Sequence, residues 1–345
     1  MIGLLRGTTK PISELYSLAL LDLDGVVYRG KDPVPYASQS IGDAEKRGMG
    51  VEYTTNNSAR FQSTVANQLR GFGLDVRADQ VMTSSVVAAR MVARQLPAGS
   101  RILVIGSDHL REEVQKQGLT LVGSAQDDPD AVIQGWYPQI AWTDLAQAAF
   151  AVERGARYFV TNLDATIPRE LGIAPGCGSM IHAVVAATGV EPEDSAGKPE
   201  SAMYDEALLL ASSNGSPFGK EQCLAVGDRL DTDIEAGNRG GYDSLAVLTG
   251  VCDAEQLLYA PAYQRPTFIA SDLRALNESM PEPRQVGPLQ FNCGQATARL
   301  TETALEVSDT SDINALRAAC NLFWQYDERE GTDATVKFVL PQFNL

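Results

Sequence analysis

The chain has 345 residues, 44% of them hydrophobic, and its 28 Lys and Arg against 44 Asp and Glu give a formal net charge of −16. That length is ample for two domains with sizeable apolar cores. So acidic a chain repels the phosphates of nucleic acid and the anionic faces of membranes, so neither is expected as a partner, and an anionic ligand must be drawn in by local positive charge.

Short apolar runs alternate with longer helical stretches, the rhythm of βα units on a parallel sheet. Residues 17–21 read as a buried strand that stops at Asp22-Leu23-Asp24-Gly25. Residues 36–47 follow as a helix closed by Gly48. The next strand, 49–53, runs into Thr54-Thr55-Asn56-Asn57-Ser58, and 60–70 is a helix stopped near Gly71 and Gly73. A second rhythm occupies about 98–190. It has strands at 101–105, 119–122, 131–133 and 158–160, a helix at 107–117, and another that Thr143 caps and Gly155 closes. The first rhythm then returns. Gly197-Lys198-Pro199 opens a helix reaching about 211, strand 222–226 ends in Gly227-Asp228, and strand 244–248 ends in Thr249-Gly250. After the linker-like Pro281-Glu282-Pro283, one strand (297–307) and one helix (312–326) are expected. The fold class is therefore α/β. A Rossmann-like parallel-sheet core (1–97 and 191–280) is interrupted by an inserted α/β cap domain (98–190) and followed by a small C-terminal α+β extension (281–345).

In open parallel sheets, ligands bind beyond the carboxyl ends of the strands. Three strands here deliver polar residues to that edge. Asp22 and Asp24, two apart, point to one side of an extended segment, where one carboxylate can attack and the other can move protons. Gly25 permits a tight turn and close backbone approach. Thr55 offers a hydroxyl, and the backbone N–H groups after it, at Asn56 and Asn57, lie at a helix start suited to phosphate. Lys198 offers a point charge for phosphate oxygens. Asp22, a carbonyl near Asp24, and Asp228 are the expected oxygen ligands of a magnesium ion, with Asp233 holding metal-bound water behind them. A calcium loop is excluded, because glycine stands three rather than five residues after Asp22, and Pro33 occupies the glutamate position.

The ordered set, Asp22-Leu23-Asp24-Gly25-Val26-Val27-Tyr28, Thr55-Asn56-Asn57-Ser58, Gly197-Lys198-Pro199 and Gly227-Asp228-Arg229-Leu230-Asp231-Thr232-Asp233-Ile234, resembles the haloacid dehalogenase superfamily of phosphatases. It is most similar to the NagD-like and para-nitrophenyl phosphatase-like subgroup, over about residues 15–275. The resemblance implies a mobile α/β cap, with Thr161-Asn162-Leu163-Asp164, Pro168 and Pro175-Gly176-Cys177-Gly178-Ser179 as its signature. It also implies Mg2+ as cofactor and a small phosphate ester as substrate. The extension resembles that of actinobacterial members described as glycerol 3-phosphate phosphatases, so glycerol 3-phosphate ranks first. Phosphoglycolate ranks second, and nucleoside monophosphates and pyridoxal phosphate follow. A catalytically retired binding module and a phosphotransferase are the competing classes. No glycine-rich acetyl-CoA loop is evident in 281–345, so packing or an interface is the expected role of that segment. His182 and Tyr158 are read as helix packing and strand core rather than as substrate contacts.

The five cysteines are scattered and odd in number, which fits a reduced compartment, and two histidines are too few for a histidine-rich metal site. No apolar run approaches the ~18 residues of a membrane span, and the first residues lack a secretory pattern, so a cytoplasmic protein is expected. The sequence does not determine oligomeric state; a homodimer is compatible with it.

Overall fold

The computed structural model describes residues 3–169, 171–213, 218–331, 335 and 338–345. The chain divides into two compact units. One comprises Met1–Tyr53, Phe72–Leu74 and Leu208–Leu345, and the other Thr54–Gly71 and Asp75–Ala207.

The first unit is built on a parallel sheet. Among its strands, Phe268–Ala270, Asp243–Val247, Cys223–Gly227 and Leu18–Asp22 lie side by side in that order. The central strands are buried along their whole length, as strands covered on both faces must be. Their register decides the rest. Leu21 pairs with Val226, and Gly227 pairs with Ala246, so three strands end at one level. Asp22, Asp228 and the Thr249-Gly250 turn therefore emerge together. The helix Ala37–Lys46 and Gly48, at φ +98°, stand where the sequence places them.

The C-terminal segment is richer than expected. The single strand read over 297–307 is two strands, Ala296–Leu300 and Leu305–Val307, which reverse through a turn in which Thr301 N–H donates to Ala304 O. Two more, Arg284–Gly287 and Gln290–Cys293, precede them in an antiparallel sheet. The helix runs from Ile313 to Glu330. Strands this short, broken by two- to four-residue turns, carry too little alternation to separate by pattern alone. The segment packs on the core. Leu316, Phe323 and Trp324 share one apolar cluster with Ala246, Leu257 and Ile269. Trp324 Nε1 donates to Leu257 O at 2.9 Å, and the buried Arg317 donates Nε to Ile269 O at 2.8 Å.

The second unit holds its own parallel five-stranded sheet, ordered Asp194–Ser195, Arg157–Val160, Ala131–Gln134, Arg101–Ile105, Thr120–Val122. Its outermost strand, Asp194–Ser195, thus lies beyond residue 190. Helices Asp108–Lys116, Trp142–Glu153 and Cys177–Thr188 accompany it, with a hairpin of Thr166–Arg169 and Gly172–Pro175. Two helix starts differ from expectation. The Trp142 helix is capped at Ala141, whose N–H donates to Asp144 at 2.8 Å, so Thr143 lies inside its first turn. The helix expected to open at residue 197 begins at Ala202, because residues 197–200 form a turn closed by Glu200 N–H on Gly197 O. Tyr158 is strand core, its hydroxyl donating to Gln134 at 2.6 Å. His182 is exposed on its helix, so helix packing does not describe it. Among the described residues no helix is long and apolar enough to cross a membrane.

His109 is the buried titratable group of this unit with the clearest consequence. Its Nε2 lies 2.8 Å from Thr83 Oγ1, while Nδ1 has no hydrogen-bond partner. Burial pushes its pKa down to about 4, against a weaker upward pull from Glu113. Between that value and 6.5 the unfolded chain binds the proton and the native one does not. Stability is therefore complete above pH 6.5 and falls as pH drops toward 4, by up to about 3 kcal/mol. We expect His109→Gln to flatten the melting temperature profile over pH 6.5–4; an unchanged slope would assign the pH dependence elsewhere.

Candidate active site

Asp22, Asp228 and Asp233 converge in the first unit. They offer carboxylate oxygens that all lie within 4.8 Å of one another, and all three side chains are buried, at 9%, 3% and 2% exposure. Three like charges held this close favour binding a cation between them. An all-oxygen set suits a hard divalent ion such as magnesium or calcium rather than zinc.

The cluster is held by backbone. Val251 N–H donates to Asp228 Oδ2 at 2.7 Å, and Cys252 N–H donates to Asp228 O at 2.8 Å. Asp233 Oδ2 accepts from Arg229 N–H at 3.1 Å. It reaches back because residues 230–234 form one wide turn, with Ile234 N–H donating to Arg229 O five residues earlier at 3.2 Å. Such turns recur where a side chain must be re-aimed at a site. Glycines make the room. A Cβ on Gly25 (φ +82°) or on Gly250 would collide with the Asp228 carboxylate, and one on Gly227 would collide with Asp233. The sequence reading used Gly25 as a turn residue and Gly250 as the end of a strand. It missed that both press on one carboxylate from opposite ends of the chain. Thr249 Oγ1 ties these segments by donating to Gly25 O at 2.6 Å, and Arg29 donates Nε to Thr249 O at 2.6 Å.

Asp24 is exposed, beyond the end of the Leu18–Asp22 strand, where the chain turns back with Gly25 N–H donating to Tyr28 O at 2.8 Å. Its carboxylate is not part of the three-aspartate cluster. Cys252, next to the site, is no nucleophile at neutral pH. Burial, with Asp253 and Asp228 behind it, raises its thiol far above the usual range.

The remaining sequence-predicted residues lie together in the second unit. Thr55 is buried, and its Oγ1 accepts from Asn57 N–H at 3.2 Å. Asn57 Oδ1 accepts from the N–H groups of Ala59 and Arg60 at 2.9 and 3.3 Å. Asn56 spends its carboxamide on the Lys198 segment, accepting from Lys198 N–H at 2.9 Å and donating to Lys198 O at 3.0 Å. Its Nδ2 also lies 3.1 Å from Asp164 Oδ1. Lys198 is only 2% exposed, with its ammonium 5.8 Å from the Tyr204 ring centroid. Carbonyls of the Thr55–Ser58 loop are taken by side-chain donors. Ser84 Oγ and Asn162 Nδ2 donate to Asn56 O at 2.7 and 2.9 Å, and Ser85 and Ser107 donate to Ser58 O at 2.7 and 2.8 Å.

Comparison with known proteins agrees with this chemistry. The haloacid dehalogenase-like hydrolase family matches residues 19–120, and the HAD-hydrolase-like family matches 195–276. The chain belongs to the haloacid dehalogenase-like hydrolases and, within them, to the phosphatases of the NagD and p-nitrophenyl phosphatase type, which are phosphoric monoester hydrolases. It is 41% identical to D-glycerol 3-phosphate phosphatase of Mycobacterium tuberculosis over 269 residues, 78% of this chain and 73% of that one. The crystal structure of glycerol phosphate phosphatase from M. tuberculosis in complex with magnesium superposes with a TM-score of 0.80 at 36% identity, covering 92% of this chain and 93% of that one. The p-nitrophenyl phosphatase from Archaeoglobus fulgidus gives a TM-score of 0.69 at 29% identity, over 76% of this chain and 98% of that one.

Proposed function

We propose that this phosphatase hydrolyses glycerol 3-phosphate through an aspartyl-phosphate on Asp22, with Mg2+ as its cation. The observation that carries the chemistry is the buried cluster of Asp22, Asp228 and Asp233 at one sheet edge. When bound there, Mg2+ supplies charge neutralisation for the phosphoryl group and keeps Asp22 ionised. An Asp22 oxygen attacks phosphorus in line, and the bond from phosphorus to the ester oxygen breaks. Asp24 gives that oxygen its proton, so the alcohol leaves neutral. Asp24 then takes a proton from water, whose oxygen attacks the same phosphorus and releases inorganic phosphate and the Asp22 carboxylate. Thr55, the backbone donors at Asn56 and Asn57, and Lys198 hold the phosphoryl oxygens. Asp233 acts from behind, on water rather than on phosphate.

The substrate assignment rests on the M. tuberculosis relatives. Coverage of 92% leaves less of this chain unmatched than the length of the C-terminal extension, whereas the archaeal p-nitrophenyl phosphatase covers 76%. Residues 98–190 serve as the cap that closes water out from the leaving group, within the scheme of a core over 1–97 and 191–280 and an extension over 281–345. Substrates are then small and soluble. The charge of −16 supports a chain that binds neither nucleic acid nor membrane. Five buried cysteines without a disulfide support a cytoplasmic location. A homodimer remains part of this reading. The test is a kinetic screen over small phosphate esters with and without Mg2+. We expect glycerol 3-phosphate to give the highest kcat/KM, with activity abolished by chelation. A higher value for phosphoglycolate or a nucleoside monophosphate would overturn the substrate, and cation-independent turnover would overturn the chemistry.

A further inference from the structure

Asn56 was expected to meet substrate through its backbone N–H; its side chain is engaged elsewhere. One carboxamide accepts from the N–H of Lys198 at 2.9 Å and donates to the carbonyl of the same residue at 3.0 Å. It thus grips both sides of one residue's main chain, 142 positions away, as an adjacent β-strand would. The second amide hydrogen is directed at Asp164, whose two oxygens lie 3.1 and 3.3 Å from Nδ2. Asp164 is fixed in turn, its N–H donating to Asn162 Oδ1 at 3.2 Å, and Asn162 returns a hydrogen bond to Asn56 O at 2.9 Å. The result is a closed ring of hydrogen bonds through Asn56, Asp164 and Asn162, with the Lys198 backbone clamped to it. Every one of these bonds lies within the second unit.

Lysine is a flexible point charge on a four-carbon stem, so its worth to a reaction depends on where its backbone is held. We propose that the Asn56 side chain is a positioning group that acts on the phosphoryl group only through Lys198, fixing that lysine's main chain in line with the Thr55 loop, whatever the Asn56 backbone N–H contributes directly. The Asn162–Asp164 turn, which the sequence marked only as a cap signature, is the support that orients the Asn56 amide. This inference rests on the phosphatase reading above, in which Lys198 neutralises phosphoryl charge. Asn56→Ala leaves the lysine present but removes the two hydrogen bonds that clamp its main chain to Asn56.

A double-mutant cycle separates positioning from contact. The readout is kcat/KM for p-nitrophenyl phosphate at saturating Mg2+, with circular dichroism confirming the fold. We expect Lys198→Met to cost about 10³-fold, the loss typical of one preorganised charge. Asn56→Ala should cost roughly 30- to 100-fold, and the double variant should fall no lower than Lys198→Met, within about threefold. Should the two losses multiply, Asn56 acts independently of Lys198 and the positioning role is overturned. Lys198→Met retaining activity within about tenfold of the parent would instead overturn the role given to Lys198, and the clamp's purpose with it. If Asn56→Ala does not fold, Asn56→Asp is the substitute. It keeps shape and acceptor, loses both donated bonds, and must show the same non-additivity.

Discussion

Asp22→Asn is expected to abolish turnover while leaving a folded protein. Asparagine matches aspartate in shape and is a far weaker nucleophile, so kcat should fall on the order of 10⁴-fold or more, the scale seen when an attacking group is removed. The fold should survive because the Leu18–Asp22 strand is held by its parallel pairing to Cys223–Gly227 and by its buried leucines, none of which the change touches. A second consequence follows from geometry. With Asp22 neutral, two carboxylates instead of three face the cation position, so the rise in melting temperature on adding Mg2+ should shrink. Steady-state kinetics and thermal melts with and without Mg2+ measure both. A variant that keeps a tenth of parental activity would rule out Asp22 as the nucleophile.

Gly250→Ala is expected to damage the cation site selectively, although Gly250 is exposed and bears no functional group. Its Cβ would overlap the Asp228 carboxylate. The backbone at Gly250 is not left-handed, so alanine adds no strain of its own there. The cheapest relief is for the Asp228 carboxylate to swing away, which releases the 2.7 Å hydrogen bond from Val251 N–H and withdraws an oxygen from the cluster. Displacing the support of a metal ligand typically costs about 10- to 100-fold in affinity, so the Mg2+ concentration for half-maximal activity should rise by that factor. Melting without Mg2+ should change little, and excess Mg2+ should restore part of kcat. Gly25→Ala meets the same carboxylate but also sits at φ +82°, where a side chain costs roughly 1–2 kcal/mol. That variant should lose stability as well as metal affinity. An unchanged Mg2+ titration for Gly250→Ala would mean that Asp228 does not bind the ion.

Much of the site could be read from local pattern. Apolar runs ending in Asp22, Thr55 and Asp228 mark strands whose carboxyl ends carry polar groups, and in a parallel sheet those ends share an edge. The in-register pairing of Leu21 with Val226 realises that expectation for Asp22 and Asp228. The helix Ala37–Lys46 with its Gly48 stop, and the strand Arg101–Ile105, follow from periodicity and cap chemistry that act over a few residues.

Other features had no local signal. Thr143 has the right chemistry for a cap, yet Asp144 reaching back to Ala141 N–H sets the helix start two residues earlier. The 297–307 stretch looked like one strand because its turn has neither glycine nor proline. Asn56 was read as a phosphate contact through its backbone N–H at a helix start, and nothing nearby in the chain indicated a task for its side chain. Its actual partners, Lys198 and Asp164, lie more than a hundred residues away.

The sequence by itself therefore determined the fold class and the order of the motifs, and put Asp22 forward as the proposed nucleophile, since each depends on short-range periodicity and on residue chemistry. Only the tertiary structure decided which glycines make room for Asp228, what Asn56 holds, and how the C-terminal sheet and helix close over the core. Those outcomes depend on strand register and side-chain packing between distant segments, where an ångström separates a contact from a collision and no neighbour in the chain reports it.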